Sequence, residues 1–371
     1  MGTRLGAAAP GRGATVSADR HAAEPPAGPW PEEDLERPGR CPACGNAART
    51  ILFDGLWDNA FFVAPGRWTL WRCGGCGSGY LDPRPTPQSI GRAYGRYYTH
   101  EEPWSPPPPA TRLQRIRAGL ANGYRNARYG TRRQPAYRAG DRLARLSRRI
   151  RRPIDLAFRF LDRRAADGER PKLLDVGFGS GAFLLQAREA GWDAAGVDFD
   201  PVAVEAARSR GLDVEVGGID AVAGRRDSYD AVTLHHVLEH LHDPVAALAA
   251  IYSMLKPGGR LQIGTPNLDG LGCEIYGRNW RGLEAPRHLV IFNRASLNDL
   301  LGRSGFTNIR YEPEEAAFPG LSLLSARIAA GLDPSDDARG IRGATRLQRL
   351  RASLSPGRAD FMIFVCEKPP R

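Results

Sequence analysis

From Lys172 onward short runs of β-type residues alternate with amphipathic helical ones: KLLDV, AFLLQAREA, AAGVD, PVAVEAARSR, DVEV, DAVTL, PVAALAAIYSML and RLQIG. Strands joined through helices lie parallel and bury both faces of their sheet, so this alternation predicts an α/β, doubly wound, mostly parallel sheet covered by helices on each side. Thr307 to Tyr311 and Phe361 to Cys366 add a last pair of strands around an insertion at 313–359. The core is predicted to occupy 166–371.

The strand Lys172 to Val176 leads into Asp175-Val176-Gly177-Phe178-Gly179-Ser180-Gly181, and then a helix begins. Alternate glycines let a ligand come close to the backbone, because a Cβ there would collide with it. The next strand ends at Asp198, which sets a carboxylate at the carboxyl edge of the sheet, where it can accept from both ribose hydroxyls of an adenosine. Gly177, Gly179 and Ala182 also satisfy the looser dinucleotide fingerprint, so the loop alone leaves two cofactor classes open.

Asp175 ahead of the glycines, the third alternate glycine Gly181, and the segments SYDAVTLHHVLEHLHDP and LKPGGRLQIGTPN favour one of them. With these, the chain resembles the class I S-adenosylmethionine-dependent methyltransferases, whose first motif reads D-x-G-x-G-x-G. The resemblance implies a Rossmann-like sheet of seven strands and S-adenosylmethionine as cofactor. It implies that Asp175 heads the cofactor loop, that Gly177, Gly179 and Gly181 face the methionine part, and that Asp198 holds the ribose. Asp220 would meet the adenine amine, and His236 would follow the fourth strand at the cofactor's edge.

Upstream, Cys41-Pro42-Ala43-Cys44 and Cys73-Gly74-Gly75-Cys76 form two C-x2-C knuckles. Four thiolates at this spacing suit a tetrahedral zinc ion, and with every position taken by sulfur the metal would be structural. Cys273 and Cys366 have no partner knuckle. The predicted zinc-ribbon-like module spans 38–82, after a disordered leader over 1–37 that is rich in Ala, Gly, Pro and Arg. This head, a linker containing Pro83-Arg84-Pro85-Thr86-Pro87 and the pair Tyr97-Tyr98 resemble a bacterial subgroup of the family associated with surface-polysaccharide and natural-product pathways.

The net charge of +11 raises nucleic acid or an anionic membrane as partners. Nearly all of it is arginine, crowded between Arg112 and Arg164 in a linker and helical connector predicted over 83–165, where Pro106 to Pro109 should be stiff and separate the two modules. Leu113, Ile116, Leu120, Leu143, Leu146 and Ile150 recur at helical spacing among these arginines. Such helices either cover the core with a solvated basic face or lie peripherally on an anionic membrane. No apolar run long enough for a membrane span or a signal peptide is present, so cytoplasmic residence is expected.

After the fifth strand, Asn279-Trp280-Arg281-Gly282-Leu283-Glu284-Ala285-Pro286-Arg287-His288-Leu289 should lie over the carboxyl edge of the sheet. Trp280 is a candidate wall for an acceptor, Arg287 a holder of its phosphate or carboxylate, and His288 the first candidate base, with His236 second. The alternative is that Pro286-Arg287-His288 pins this loop to the core. The expected function is methyl transfer to a small-molecule or glycan-precursor acceptor. An RNA methyltransferase is the alternative, disfavoured because the cysteine segment has few basic residues and no basic-aromatic stripe; a non-catalytic zinc-docking protein is the second.

Overall fold

The computed structural model describes residues 26–95, 111–162, 169–314, 317–334 and 341–370. Chain order begins with five short strands, β1 (Leu35–Glu36), β2 (Arg49–Leu56), β3 (Trp68–Cys73), β4 (Gly79–Leu81) and β5 (Arg84–Pro85). Three helices follow: α1 (Arg112–Tyr129), α2 (Ala139–Leu146) and α3 (Arg148–Ala157). The alternating region then runs β6 (Lys172–Val176), α4 (Ala182–Glu189), β7 (Asp193–Asp198), α5 (Pro201–Arg208), β8 (Asp213–Val216), α6 (Ile219–Val222), β9 (Tyr229–His235), α7 (Pro244–Met254) and β10 (Leu255–Pro266). Last come α8 (Leu271–Tyr276), β11 (Val290–Ile291), α9 (Arg294–Arg303), β12 (Thr307–Pro313), α10 (Phe318–Ala329), α11 (Arg346–Leu354) and β13 (Phe361–Glu367).

The main sheet has seven strands in the order β12-β13-β10-β9-β6-β7-β8. β13 runs antiparallel to both β10 and β12, and the pairs from β10 to β8 are parallel. This is the mostly parallel, Rossmann-like sheet that the alternation predicts. The central strands are apolar on both faces because helices cover both: Leu173, Leu174, Val176, Ala231, Val232 and Leu234 are all buried. Strand order reverses between β6 and β9, and a crevice opens there beyond the carboxyl ends. β12 and β13 bracket α10 and α11, so the insertion is helical where it is described.

Two expectations about the N-terminal half need correction. The leader is ordered from residue 26: Trp30 is buried edge-on to Trp68 at 5.7 Å, and Leu35 and Glu36 pair with Pro85 and Arg84. The head is also not a separate module. Val290 and Ile291 of β11 pair antiparallel with Tyr80 and Gly79, completing a four-stranded sheet β11-β4-β3-β2. Cys41, Cys73 and Tyr80 share one buried apolar cluster with Leu289, Phe292 and Leu297. Pro106 to Pro109 and the Tyr97-Tyr98 pair lie outside the described residues.

The arginine-rich helices turn their aliphatic residues outward. α1 starts with a capping box between Thr111 and Gln114 and ends on the left-handed Gly130. It meets α2 through glycines: a Cβ on Gly123 would collide with the Tyr137 carbonyl oxygen, and one on Gly140 with that of Leu120. Backbone contact this close leaves Leu113, Ile116, Leu143, Leu146 and Ile150 exposed. No helix among the described residues is long and apolar enough to cross a membrane.

Candidate active site

Between β6 and α4 the chain passes through Gly177, Gly179 and Gly181, each at positive φ. The Gly179 amide donates to Asp198 Oδ2 at 2.9 Å, and the Asp200 amide to Oδ1 at 3.0 Å. Burial raises the Asp198 pKa and the two amides temper the rise. Each carboxylate oxygen keeps a further acceptor position. A Cβ built on Gly177 would strike Val237 and one on Gly181 would strike Leu212, whereas at Gly179 nothing lies within 4 Å. The open space above Gly179, edged by Asp198 and by the exposed ring of Phe199, is a cradle that a side chain would fill and a nucleoside fits.

Asp175 lies beneath this loop, fully buried. Its Oδ1 accepts from Thr233 at 2.7 Å and from Arg159, and its Oδ2 has no partner among the described residues. Arg159, itself at φ 50° and stacked 3.8 Å over Phe183, supplies the countercharge. Burial raises the Asp175 pKa, with Arg159 and Thr233 opposing. Asp220 stands exposed on α6.

His236 follows β9 at φ 57°, its amide donating to the Gly264 carbonyl at 2.8 Å. This turn points it into a cavity of about 170 Å³ that is also lined by His240, His288, Arg281, Glu284 and Phe361. His236 Nδ1 lies 3.2 Å from Glu239 Oε1, and Thr265 donates to Glu239 Oε2 at 3.0 Å. Burial opposes the charge on Glu239, yet the hydrogen bond and nearby histidines bring its pKa down to about 2. Burial likewise opposes a charged His236, but Glu239 outweighs it and the pKa is raised.

His288 has the opposite surroundings. Its Nδ1 lies 2.8 Å from the Gly282 carbonyl, which only accepts, so the proton sits on Nδ1 and Nε2 keeps its lone pair. Burial, the largest influence, pushes its pKa down to about 4, and the imidazole is neutral at pH 7. His240 Nδ1 is 3.0 Å from the Arg287 carbonyl and 3.0 Å from the Tyr94 hydroxyl, so the segment after the head reaches a residue of the cavity. Glu239, His240 and His288 each bring one ligating atom within 4.8 Å of the others, although Glu239 is committed to His236 and Thr265.

Two of the residues proposed to touch an acceptor do not reach the cavity. Arg287 is completely buried: it pairs with Asp58 and Glu284, donates to the Ala93 carbonyl at 2.8 Å and stacks 4.3 Å over Phe61. Trp280 is 1% exposed and packs with Leu56, Leu268 and Leu283. Both pin the loop: Trp280 by packing, and Arg287 because a fully buried guanidinium that makes four hydrogen bonds to the protein is shut away from a substrate. Arg281, Glu284 and Phe361 take their place around the cavity, and Tyr94 supports it through His240. A glutamate and an arginine flanking His288 were readable in the sequence; Tyr94 was not, since nothing local ties it to β9.

In the head, Cys41 and Cys76 Sγ lie 3.6 Å apart, Cys44 and Cys73 Sγ 3.5 Å, and all four within 4.8 Å. Ligands at about 2.3 Å around a tetrahedral zinc stand about 3.8 Å from one another, so the sulfurs are placed compatibly with a zinc site. The Gly75 amide points at Cys73 Sγ from 3.3 Å.

Residues 131–311, just under half of the chain, match the model of a family described as a methyltransferase domain. The ubiquinone biosynthesis O-methyltransferase of Xanthomonas oryzae pv. oryzae is 37% identical over 103 residues, which cover 26% of this chain and 43% of that protein. The chain thus spans less than half the length of the curated relatives it matches. Among solved structures, an S-adenosylmethionine-dependent methyltransferase from Archaeoglobus fulgidus is 20% identical, covering 60% of this chain and 92% of that one with a TM-score of 0.40. Phosphoethanolamine N-methyltransferase 2 of Haemonchus contortus, in complex with S-adenosyl-L-methionine, is 19% identical over 58% of this chain and 52% of its own, with a TM-score of 0.40.

Proposed function

We propose that the chain, of which residues 131–311 match a methyltransferase-domain family, transfers a methyl group from S-adenosylmethionine to the hydroxyl of a small-molecule or glycan-precursor acceptor. The observation that carries this reading is that Gly177 of the glycine loop lies against Val237, the residue after His236, which lines the cavity and is held by Glu239. S-adenosylmethionine, when bound, supplies a methyl group already activated on a sulfonium sulfur. The residues of this chain must therefore hold the acceptor in line and take away its proton.

In this reading Asp198 accepts from the ribose hydroxyls, and the loop from Gly177 to Gly181 leaves room for the rest of the nucleoside. With the acceptor hydroxyl held in line with the donor methyl group, its proton would pass to His236 Nε2. Glu239, holding Nδ1, positions that imidazole and stabilises its charged form. His288 serves as a neutral acceptor that orients the hydroxyl, a role that its fixed tautomer supports. His236 thus takes precedence over His288 as base. Incubation with methyl-labelled cofactor and a panel of hydroxylated small molecules tests the reading; absence of cofactor binding by calorimetry would defeat it.

We further propose that Cys41, Cys44, Cys73 and Cys76 hold one structural zinc ion. The four sulfurs converge on one point from two knuckles, and metal binding at such a site supplies folding free energy.

A further inference from the structure

We propose that the face made by α2, α3 and α11 docks on an anionic phospholipid bilayer, with a lipid phosphate seated in an arginine-lined cavity between α1, α3 and β12. The cavity holds about 340 Å³ and is bounded by Arg128, Arg145, Arg148, Arg151, Arg152 and Arg310. Arg128 is paired with Asp162, Arg145 with Asp141 and Arg152 with Glu312. Arg148, Arg151 and Arg310 have no acidic partner among the described residues. Of the two carboxylates that line it, Glu312 is paired with Arg152 and Asp155 accepts through Oδ1 from the Tyr124 and Tyr129 hydroxyls at 2.8 and 2.7 Å. A concave site with six guanidiniums against two carboxylates suits a phosphate, which arginine binds through its fork of donors.

The surroundings say where that phosphate comes from. Leu146 is 87% exposed, Leu347 75% and Leu354 73%, and Leu143, Ile150 and Leu350 are exposed beside them. The helices α3 and α11 are neighbours: Arg148, Arg149, Arg152 and Leu156 of α3 face Ser353 and Pro356, at and just beyond the end of α11, across a shared concavity. Aliphatic residues standing among arginines are the pattern that enters the boundary between headgroups and acyl chains. A nucleic-acid surface would instead offer rings for base stacking, and α2, α3 and α11 carry none. The docking does not depend on methyl transfer.

The test is sedimentation of the full chain with vesicles of phosphatidylcholine alone or mixed with phosphatidylglycerol, at about 0.05 M and about 0.5 M salt. Expected is binding to the anionic vesicles only, weakened at high salt. Arg148→Glu and Arg151→Glu should each weaken it by about fivefold or more, and Leu146→Glu, at an exposed position that folding does not need, should weaken it comparably. Binding to neutral vesicles, or none to either, would overturn the proposal. So would release by millimolar inorganic phosphate with Leu146→Glu unchanged, which would make the cavity a soluble-phosphate site. Capture of a single-stranded RNA without vesicle binding would reassign the face to nucleic acid.

Discussion

Arg287 and Asp58, 229 positions apart in the chain, face each other as a fully buried ion pair that ties the loop before β11 to the head. Asp58 also accepts from the amides of Phe61, Val63 and Ala64 at 3.0 to 3.1 Å. Its carboxylate is therefore the node of a local turn as well as half of the pair.

Removing one partner leaves the other charged and unsolvated. Arg287→Ala is expected to cost about 3–5 kcal/mol, read by chemical denaturation, whereas substituting both partners with apolar residues should cost less than the two single changes combined. Burial opposes the charge on Asp58, but Arg287 and the amides prevail and its pKa lies below the usual value of 3.8. The stabilisation it gives is complete above that usual value and disappears as the pH falls through the lower native one. A denaturation midpoint insensitive to Arg287→Ala would show that the pair is not formed.

The His236–Glu239 pair predicts a pH profile. With its pKa raised above 6.5, His236 should give kcat/KM a limb that rises with pH through that native value. Glu239→Gln should move the limb to lower pH, and His236→Ala should lower turnover about a hundredfold or more while cofactor affinity stays. The same shift makes protonated His236 stabilising below pH 6.5, a contribution lost as the pH rises through the native pKa. A limb that Glu239→Gln leaves in place would remove His236 as the base.

For the cofactor cradle, Gly179→Val should abolish cofactor binding in a chain that still folds, because the added carbons enter open space and the strain of a side chain at φ 56° costs about 1–3 kcal/mol, less than the stability of a typical folded domain. Asp198→Ala should remove the ribose acceptors and weaken affinity by at least about tenfold, since hydrogen bonds to a charged group contribute about 1.5–3 kcal/mol. Isothermal titration with S-adenosylmethionine reads both. Wild-type affinity in the two variants would mean that the cleft binds something else.

Elemental analysis should return one zinc per chain, falling with Cys73→Ser. Because β11 pairs with β4 and begins two residues after His288, chelation is expected to lower turnover along with the stability of the head. Full activity in a zinc-free chain would sever this link.

The sheet was legible in the sequence because burial on both faces demands the runs seen at Lys172–Val176 and Ala231–Leu234. The loop from Gly177 to Gly181 and Asp198 was legible because few residue types suit a close backbone approach and a ribose. What stayed hidden depended on distant pairing. Arg287 looks like a substrate clamp until Asp58 is brought beside it, and Trp280 looks like a pocket wall until it is buried. Leu146 and Ile150 keep helical spacing whichever way they point, and only the glycine contacts between α1 and α2 decide that they point outward.

The strand that β11 lends to the head also constrains how this architecture can diversify. The loop from Asn267 to Leu289 is clamped at both ends, by β10 in the main sheet and by β11 on the edge of β4. A residue inserted near its far end would slip the register of Val290 and Ile291 against Tyr80 and Gly79, turning buried side chains toward solvent. New acceptor preferences are therefore accessible by exchanging residues such as Arg281, Glu284 or Phe361 in place, while changes in loop length at that end would unzip one sheet in order to reshape the other.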